Sequence, residues 1–383
     1  MTPQARLQAA IELVDEIIAA ARTGGAAADT LIARYFRTRR YAGSKDRRAV
    51  RELVFRAIRR AGEAPASGRA ALLGLADQRA FFDGSPHGPA PVVEGEAEAE
   101  PGIAPPWLLA RLDPLVGTDE LPALLERAPL DVRINRLKPM PALDAEQTPH
   151  SPLGRRFPEG TQVEQLEAWK AGQIEVQDEG SQLISLACEA RPGMAVVDLC
   201  AGAGGKTLAL AAEMANDGRL VASDSDRARL SRLAPRAERA GAAIVETRLL
   251  DPGQEAPALA DLDGQADLVL VDAPCSGTGT WRRNPETRWR ASPERLQRLT
   301  ALQARLLDLA GTLLAPGGIL VFAVCSLLAE VGWDQAAAFT ARSGLLPETV
   351  PLKPGRSAGS GLLLTPGHDG TDGFFVARWR RPC

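Results

Sequence analysis

Residues 179–383 predict an α/β domain with a doubly wound, mainly parallel sheet, and residues 1–82 predict an all-helical domain ahead of it. Three observations carry this reading. Aliphatic runs recur after Glu179, each closed by an acid or a glycine and followed by a helical stretch, the alternation that builds parallel sheets. The last two runs, Leu362-Leu363-Leu364 and Phe374-Phe375-Val376-Ala377, are joined by a short Gly-rich turn, so the final strand should run antiparallel. Before residue 83 the apolar residues repeat instead at helical spacing.

In the helical domain, Leu7, Ile11, Val14 and Ile18 predict a helix over 5–22. Val50, Leu53, Val54, Ala57 and Ile58 predict a second from about Lys45 to Arg60, with Ser44 as its N-cap. Residues 83–104 change character: a Pro- and Gly-rich stretch precedes Glu94, Glu96, Glu98 and Glu100. Such a segment buries too little apolar surface to offset its ordering entropy, and it is expected to be a flexible linker. Residues 105–175 are expected to form a connecting α+β subdomain, helical over 105–130 and then a strand from Val132 to Leu137. The α/β domain follows over 176–383. Its strands are expected at 195–199, 219–223, 243–247, 267–271 and 318–323, and its clearest helices at 205–215 and 292–315.

Bulk properties exclude several classes. The 383 residues contain no apolar run long enough to span a bilayer and no signal-peptide pattern. Five scattered cysteines and three histidines offer neither a disulfide framework nor a zinc site, and a reducing cytoplasm fits them. The net charge is −3, yet from Leu31 to Arg60 eleven Lys or Arg face only Asp46 and Glu52. A basic concentration of this kind attracts phosphates by counterion release; a plain solvated helix face is the competing reading.

The junction Val197-Asp198-Leu199-Cys200-Ala201-Gly202-Ala203-Gly204-Gly205-Lys206-Thr207 admits three readings. A dinucleotide fingerprint fails, because the third glycine position is Thr207. A phosphate-binding P-loop matches Gly205-Lys206-Thr207, but Cys200 stands where its first glycine belongs. The third reading is the S-adenosylmethionine loop of a methyltransferase. Acids at four successive strand ends, Asp198, Asp224, Asp251 and Asp272, suit a cofactor recognised through its sugar, base and amino-acid parts. Asp198 alone could simply terminate a strand.

Two cysteines stand at strand tips. Cys275 follows Leu268-Val269-Leu270-Val271-Asp272-Ala273-Pro274, and Cys325 follows Ile319-Leu320-Val321-Phe322-Ala323-Val324. The carboxyl ends of strands in an open α/β sheet form its ligand crevice, so both thiols should face one pocket beside the glycine loop. That combination points to covalent thiol chemistry next to a nucleotide-like cofactor.

The chain resembles the RNA cytosine-5 methyltransferases of the NOL/NOP/Sun family. The residues that carry the resemblance are Asp272-Ala273-Pro274-Cys275-Ser276-Gly277, Cys325-Ser326-Leu327 and Gly204-Gly205-Lys206-Thr207. Val176-Gln177-Asp178-Glu179-Gly180-Ser181, Arg282-Arg283-Asn284-Pro285-Glu286 and Asp372-Gly373-Phe374-Phe375 extend it over roughly residues 130–383. The N-terminal helices are similar to the NusB-like RNA-binding domain of the ribosomal RNA methyltransferase B branch. The resemblance implies a Rossmann-like, S-adenosylmethionine-dependent sheet with an antiparallel last strand. It implies 5-methylcytosine formation in RNA, with small-subunit ribosomal RNA the leading substrate, transfer RNA the alternative, and a monomeric enzyme away from membranes. Cys325 is the implied nucleophile and Cys275 the thiol that assists release. Asp272 and Lys206 are implied at the reacting centre. Cys200, Ala201, Gly202, Ala203, Gly204, Gly205, Lys206, Asp224, Asp251 and Asp272 are implied cofactor contacts. From the residues alone, a P-loop NTPase and a non-catalytic RNA-binding protein remain open.

Two features depart from or extend that pattern. The loop lacks the proline that family members often carry, which is expected to loosen it, and Val324 replaces the usual threonine before the second cysteine. Trp281-Arg282-Arg283-Asn284-Pro285 and Arg288-Trp289-Arg290 interleave aromatics with cations just after Cys275. They are expected to contact RNA, with a surface loop stapled by its tryptophans as the alternative.

Overall fold

A computed structural model describes residues 1–383. The chain folds as two compact units. The first comprises Met1–Leu112, Thr118–Arg127 and Thr280–Pro293; the second comprises Asp113–Gly117, Ala128–Gly279 and Glu294–Cys383. The expected connecting segment 105–175 is therefore divided between them. No helix is long and apolar enough to cross a membrane.

The first unit is built on α1 (Pro3–Thr23), α2 (Ala28–Thr38), α3 (Ser44–Arg60) and α4 (Gly68–Leu73). The apolar stripes expected from helical spacing are its core: Leu7, Val14, Val50, Val54 and Ile58 are fully buried. Helix α2 was not legible as a separate element. Ser44 is the first helical residue of α3 rather than its cap, and Gly43 holds the cap position without a side-chain bond. Only Pro106–Leu109 and the 3-10 turn Thr118–Leu124 are helical within 105–130, because Pro105, Pro114, Pro122 and Pro129 interrupt the pattern.

The acidic segment 83–104 does not hang free. Arg69 binds Glu96, Arg79 binds Glu98, and Ala61 forms a β-bridge with Pro101. Cations of the helical unit offset the glutamates that made this stretch read as a linker. The segment after Cys275 is likewise structural. Trp281 and Arg282 are buried, Trp289 joins the helical core, and Arg288 is 0 % exposed. The Arg288 guanidinium donates to the carbonyls of Pro285, Arg59 and Ala61 at 3.1, 3.1 and 2.7 Å, and also to that of Ile58. Burial of that guanidinium pulls its pKa down to about 9. These residues staple the unit and are not available to stack on RNA.

The basic concentration on α2 and α3 divides the same way. Arg34, Arg51 and Arg56 pair with Glu16, Asp29 and Asp77. Arg37, Arg40, Lys45 and Arg48 stay exposed and unpaired around the α2–α3 turn, where Tyr41 is 73 % exposed.

The second unit holds two sheets. Strands β1 (Leu130–Ile134), β2 (Glu146–Gln147), β3 (Gly154–Phe157) and β4 (Ile174–Val176) form a small antiparallel sheet in the order β2-β3-β1-β4. The large sheet contains β5 (Ala195–Asp198), β6 (Arg219–Asp224), β7 (Val245–Leu249), β8 (Ala266–Asp272) and β9 (Leu314–Val324). It also contains β10 (Leu346–Glu348), β11 (Arg356–Ala358), β12 (Gly361–Leu364) and β13 (Phe374–Arg380). Its order is β11-β12-β13-β9-β8-β5-β6-β7, with β10 pairing β13. Strands β5 to β9 pair in parallel, and β13 runs antiparallel to both β9 and β12, as the terminal hairpin predicted.

Replacing Arg288 with alanine would leave buried carbonyls at the end of α3 without donors. Arg288→Ala is expected to destabilise the protein by about 3 kcal/mol, at a typical 1–3 kcal/mol per unsatisfied group. Urea denaturation measures this; an unchanged midpoint would show that solvent replaces the guanidinium freely.

Candidate active site

The site grows from the point where strand order reverses. From β5 the chain steps through β6 and β7 to one side, then returns to add β8 and β9 on the other. Connections diverge from the carboxyl ends of β5 and β8 and leave a crevice between them. A cleft of about 190 Å³ opens there, with the glycine loop and Lys206 on one wall and Asp272 and Ser181 on others.

Local conformation explains the glycines. Gly202 (φ +57°) and Gly204 (φ +87°) both occupy the left-handed region. A Cβ on Gly204 would stand 2.0 Å from Leu233 Cδ1. The loop is also pinned from outside. Asp224 accepts the N–H of Gly202 at 2.7 Å through one oxygen and that of Asp226 at 2.7 Å through the other. The Arg236 guanidinium donates to the Ala203 carbonyl at 2.6 Å and to Glu175 at 3.0 Å. Buried Glu175 also binds Arg239, whose guanidinium lies 3.9 Å from the centre of the Trp169 ring. The expected looseness of a loop without proline is thus countered by a guanidinium clamp.

Lys206, the second residue of the helix Gly205–Glu213, reaches across the cleft to Asp272 at 2.7 Å. Burial opposes its charge, but the Asp272 carboxylate wins and holds the ammonium above its usual range. Asp198 is 1 % exposed and accepts the Thr207 hydroxyl at 2.6 Å through Oδ2, while Oδ1 is buried without a partner. Burial pushes this carboxyl up to about 7, partly against the Thr207 hydrogen bond. Cys200 lines the same cleft, and burial beside Asp198 pushes its thiol well above the ordinary range.

The two thiols meet. Asp272 pairs in register with Ala323 across β8 and β9, so Cys275 and Cys325 emerge three and two residues further on from adjacent strand ends. Their Sγ atoms lie 3.3 Å apart and either can donate to the other. The hydrogen bond from Cys325 holds Cys275 below the usual thiol range despite burial. The same bond, with burial, holds Cys325 well above it. Such a pair titrates as a unit: one proton leaves readily and the second does not. Both turns are laced together. Gly279 N–H donates to the Cys325 carbonyl at 3.1 Å, Leu327 N–H to Thr278 Oγ1 at 2.7 Å, and Ser276 and Ser326 share a 2.8 Å hydrogen bond.

The structure brings Cys200, Ala201, Ala203, Gly205, Lys206 and Asp272 to one cleft. Gly202 and Gly204 shape its loop, and Asp224 sits behind it with both oxygens engaged by backbone. Asp251 is exposed after β7, and the cleft lining does not include it. Sequence reasoning undervalued Asp198 and did not name Arg229 or Arg236. Their signal was weak: a strand-ending acid and two arginines among many.

The crevice at the strand switch, its glycine loop and the antiparallel last strand define a Rossmann-like methyltransferase. Comparison with known proteins carries this to a family. The chain belongs to the 16S rRNA methyltransferase RsmB/F family, whose model matches residues 185–380. Ribosomal RNA small subunit methyltransferase B of Thermus thermophilus is 40% identical over 210 residues, covering 54% of this chain and 50% of that one. The protein of that name from Klebsiella pneumoniae is 33% identical over 289 residues, covering 72% and 65%. The chain thus spans between half and two thirds of these relatives' lengths. Among solved structures, a methyltransferase homolog protein from Pyrococcus horikoshii superposes with a TM-score of 0.62 at 26% identity, covering 72% of this chain and 93% of that chain. NSun6 from the same organism shares the fold, with a TM-score of 0.64 at 20% identity, covering 72% and 98%.

Asp198 makes stability pH-dependent. Its folded pKa near 7 exceeds the roughly 3.9 of an unfolded aspartate, so the folded chain keeps a proton that the unfolded chain loses. Its contribution is fully present below about pH 4, fades as pH rises, and is lost above about pH 7. Asp198→Asn keeps an acceptor for Thr207 and carries no charge. Its melting temperature relative to the parent should therefore rise between pH 5 and pH 8. A flat difference would mean that Asp198 does not hold the proton.

Proposed function

We propose that the protein is an S-adenosylmethionine-dependent methyltransferase that forms 5-methylcytosine in RNA, with small-subunit ribosomal RNA as substrate, in the cytoplasm. The observation that carries this reading is the thiol pair, 3.3 Å apart just past the ends of β8 and β9, with the Lys206–Asp272 ion pair lining the glycine-loop cleft at the end of β8. The family and the curated relatives' names support the substrate class.

The cleft suits the cofactor. Nothing stands where a Cβ on Gly205 would lie, which leaves that part of the loop open to close approach, and Asp198 Oδ1 is buried without a partner. Cys200 to Lys206, Asp198 and Asp272 would hold it, and when bound it supplies an electrophilic methyl group. Asp224 acts mainly by fixing Gly202, so a direct contact from it would use a remaining lone pair.

Carbon 5 of cytosine is a poor nucleophile until a thiolate adds to carbon 6. Cys325 is assigned that addition. Its proton has a path along the 3.3 Å hydrogen bond to Cys275; because Cys275 is the more acidic member of the pair this transfer is uphill, and attack on carbon 6 draws it forward. After methyl transfer a base, assigned to Cys275 once it has passed its own proton to solvent, takes the carbon-5 proton, and the Cys325–carbon 6 bond breaks with its electron pair returning to Cys325. Cys275 stands where it can assist that release. Asp272 holds Lys206 and is assigned a contact with the base.

The RNA is also assigned a contact on the helical unit. Four unpaired cations, Arg37, Arg40, Lys45 and Arg48, surround exposed Tyr41. Three of them precede or open α3, where the helix dipole disfavours cations. Phosphates supply the missing countercharge, and the ring offers a stacking surface.

Two experiments test this reading. Cys325→Ala should abolish methyl transfer and covalent RNA capture, whereas Cys275→Ala should accumulate an RNA adduct stable to denaturing electrophoresis. An adduct from Cys325→Ala alone would exchange the two roles. Reversing Arg37, Arg40, Lys45 and Arg48 to Glu should weaken RNA binding and flatten its salt dependence, the slope falling by roughly 0.9 for each phosphate no longer neutralised. Affinity for S-adenosylmethionine should stay constant. An unchanged salt slope would remove this surface from the RNA path.

A further inference from the structure

We propose that Cys275 and Cys325 also form a reversible redox site, in which hydrogen peroxide converts the two thiols into a Cys275–Cys325 disulfide that silences the enzyme. The sulfurs already lie 3.3 Å apart. A disulfide places them at about 2.05 Å, so they need approach by little more than 1 Å. Adjacent parallel strands carry both residues, and the Gly279–Cys325 and Leu327–Thr278 hydrogen bonds hold the two turns together. Closure therefore needs no rearrangement of the sheet. Both side chains remain partly exposed, so a small oxidant can reach them.

The other cysteines are set differently. Cys188 is buried in the core and donates to the Ile184 carbonyl at 3.4 Å. Cys200 sits in the glycine loop among carboxyl groups that disfavour its thiolate, and Cys383 is exposed at the last position. Only Cys275 combines access, a hydrogen bond that holds its thiol below the usual range, and a second thiol in contact.

The chemistry balances in two steps. The Cys275 thiolate attacks one peroxide oxygen; an S–O bond forms, the O–O bond breaks, and the departing hydroxide takes a proton to become water. The product is a sulfenic acid at Cys275. The sulfur of Cys325 then attacks that sulfur; the S–S bond forms, the S–O bond breaks, and hydroxide leaves with the Cys325 proton as a second water. The two thiols lose two electrons and two protons together, and one peroxide is reduced to two waters. A dithiol reductant reverses the change by exchange. Because the resolving thiol is already in contact, the sulfenic acid is captured before it oxidises further. The same closeness that lets one thiol take the other's proton during catalysis exposes the pair to this reaction.

The test of the disulfide needs neither RNA nor cofactor and so stands apart from the methyltransferase reading, on which only the silencing rests. The reduced full chain is treated with one equivalent of hydrogen peroxide, and intact mass, free thiols and a non-reducing digest are measured. Expected are the loss of two hydrogens, a fall in free thiols from five to three, and one peptide pair linking Cys275 to Cys325, all reversed by dithiothreitol. In Cys325→Ser, one equivalent should instead add one oxygen to Cys275, and a second equivalent should carry it to the two-oxygen acid that resists reduction. Oxygen addition without a linked pair in the parent chain, or a link through Cys200 or Cys383, would overturn the proposal. The parent-chain result decides the matter even where the variant fails to fold. In parallel, methyl transfer should be lost on oxidation and recovered on reduction; activity that survives full conversion to the disulfide would refute the silencing.

Discussion

The parallel pairing of β8 with β9, in the register that sets Asp272 opposite Ala323, is the constraint on which the site depends. Side chains alternate along a strand, so a one-residue slip would reverse every facing relationship at its end. With this register, Asp272 reaches Lys206 while the turn after each strand delivers a thiol to the same point. The register is defended by burial. Leu268 to Val271 and Leu320 to Val324 are all fully buried, and β13 seals the outer edge of β9 over six residue pairs. The antiparallel last strand therefore has a mechanical role: it covers the strand that carries Cys325, with Phe375 opposite Val324. Val324, where a hydroxyl-bearing residue is usual, fits that buried pairing.

Charge in the cleft follows from what burial permits. Isolated charges are costly to desolvate, so each is paired, hydrogen-bonded or neutralised. Lys206 and Asp272 are paired. Asp198, lacking a cation in contact, responds by holding its proton to near neutral pH. The thiols are hydrogen-bonded to each other. The cleft thus presents one ion pair and one buried carboxyl oxygen without a partner. A strongly cationic, triphosphate-binding loop would look different, since its lysine would face the phosphates and not an aspartate.

Much of this was legible in sequence, for identifiable reasons. Long aliphatic strands bounded by acids announced the parallel sheet, and the spacing of Leu7, Ile11, Val14 and Ile18 announced α1. Cys275 and Cys325 are expected together because both stand at carboxyl ends of strands, a position independent of exact boundaries, and the structure brings them into contact, although neither lines the cleft. What failed was reasoning from composition. Glu96 and Glu98 read as a solvated linker because their partners, Arg69 and Arg79, are distant in sequence. Trp289 and Arg288 read as an RNA surface because alternating cations and aromatics look alike whether they face solvent or a ring of backbone carbonyls. Asp251 ends a strand as expected, but β7 is the sheet's edge, two strands from the switch point.

The clamp on the glycine loop shows why such contacts escape sequence patterns. Glu175 lies on β4 of the small sheet, Arg236 on the helix Leu233–Ala240, and Ala203 in the loop after β5. No local pattern links them. Each is nonetheless constrained: Glu175 is buried, and a buried carboxylate with two guanidiniums would be costly to strand by removing either. The small sheet, which contributes nothing to the cleft lining, therefore acts on the glycine loop through one carboxylate and one guanidinium. A loop that gives up a proline keeps its shape if an external donor fixes its carbonyl. Here that donor depends on a strand outside the Rossmann-like sheet, which gives the small sheet a physical stake in the geometry of the cleft.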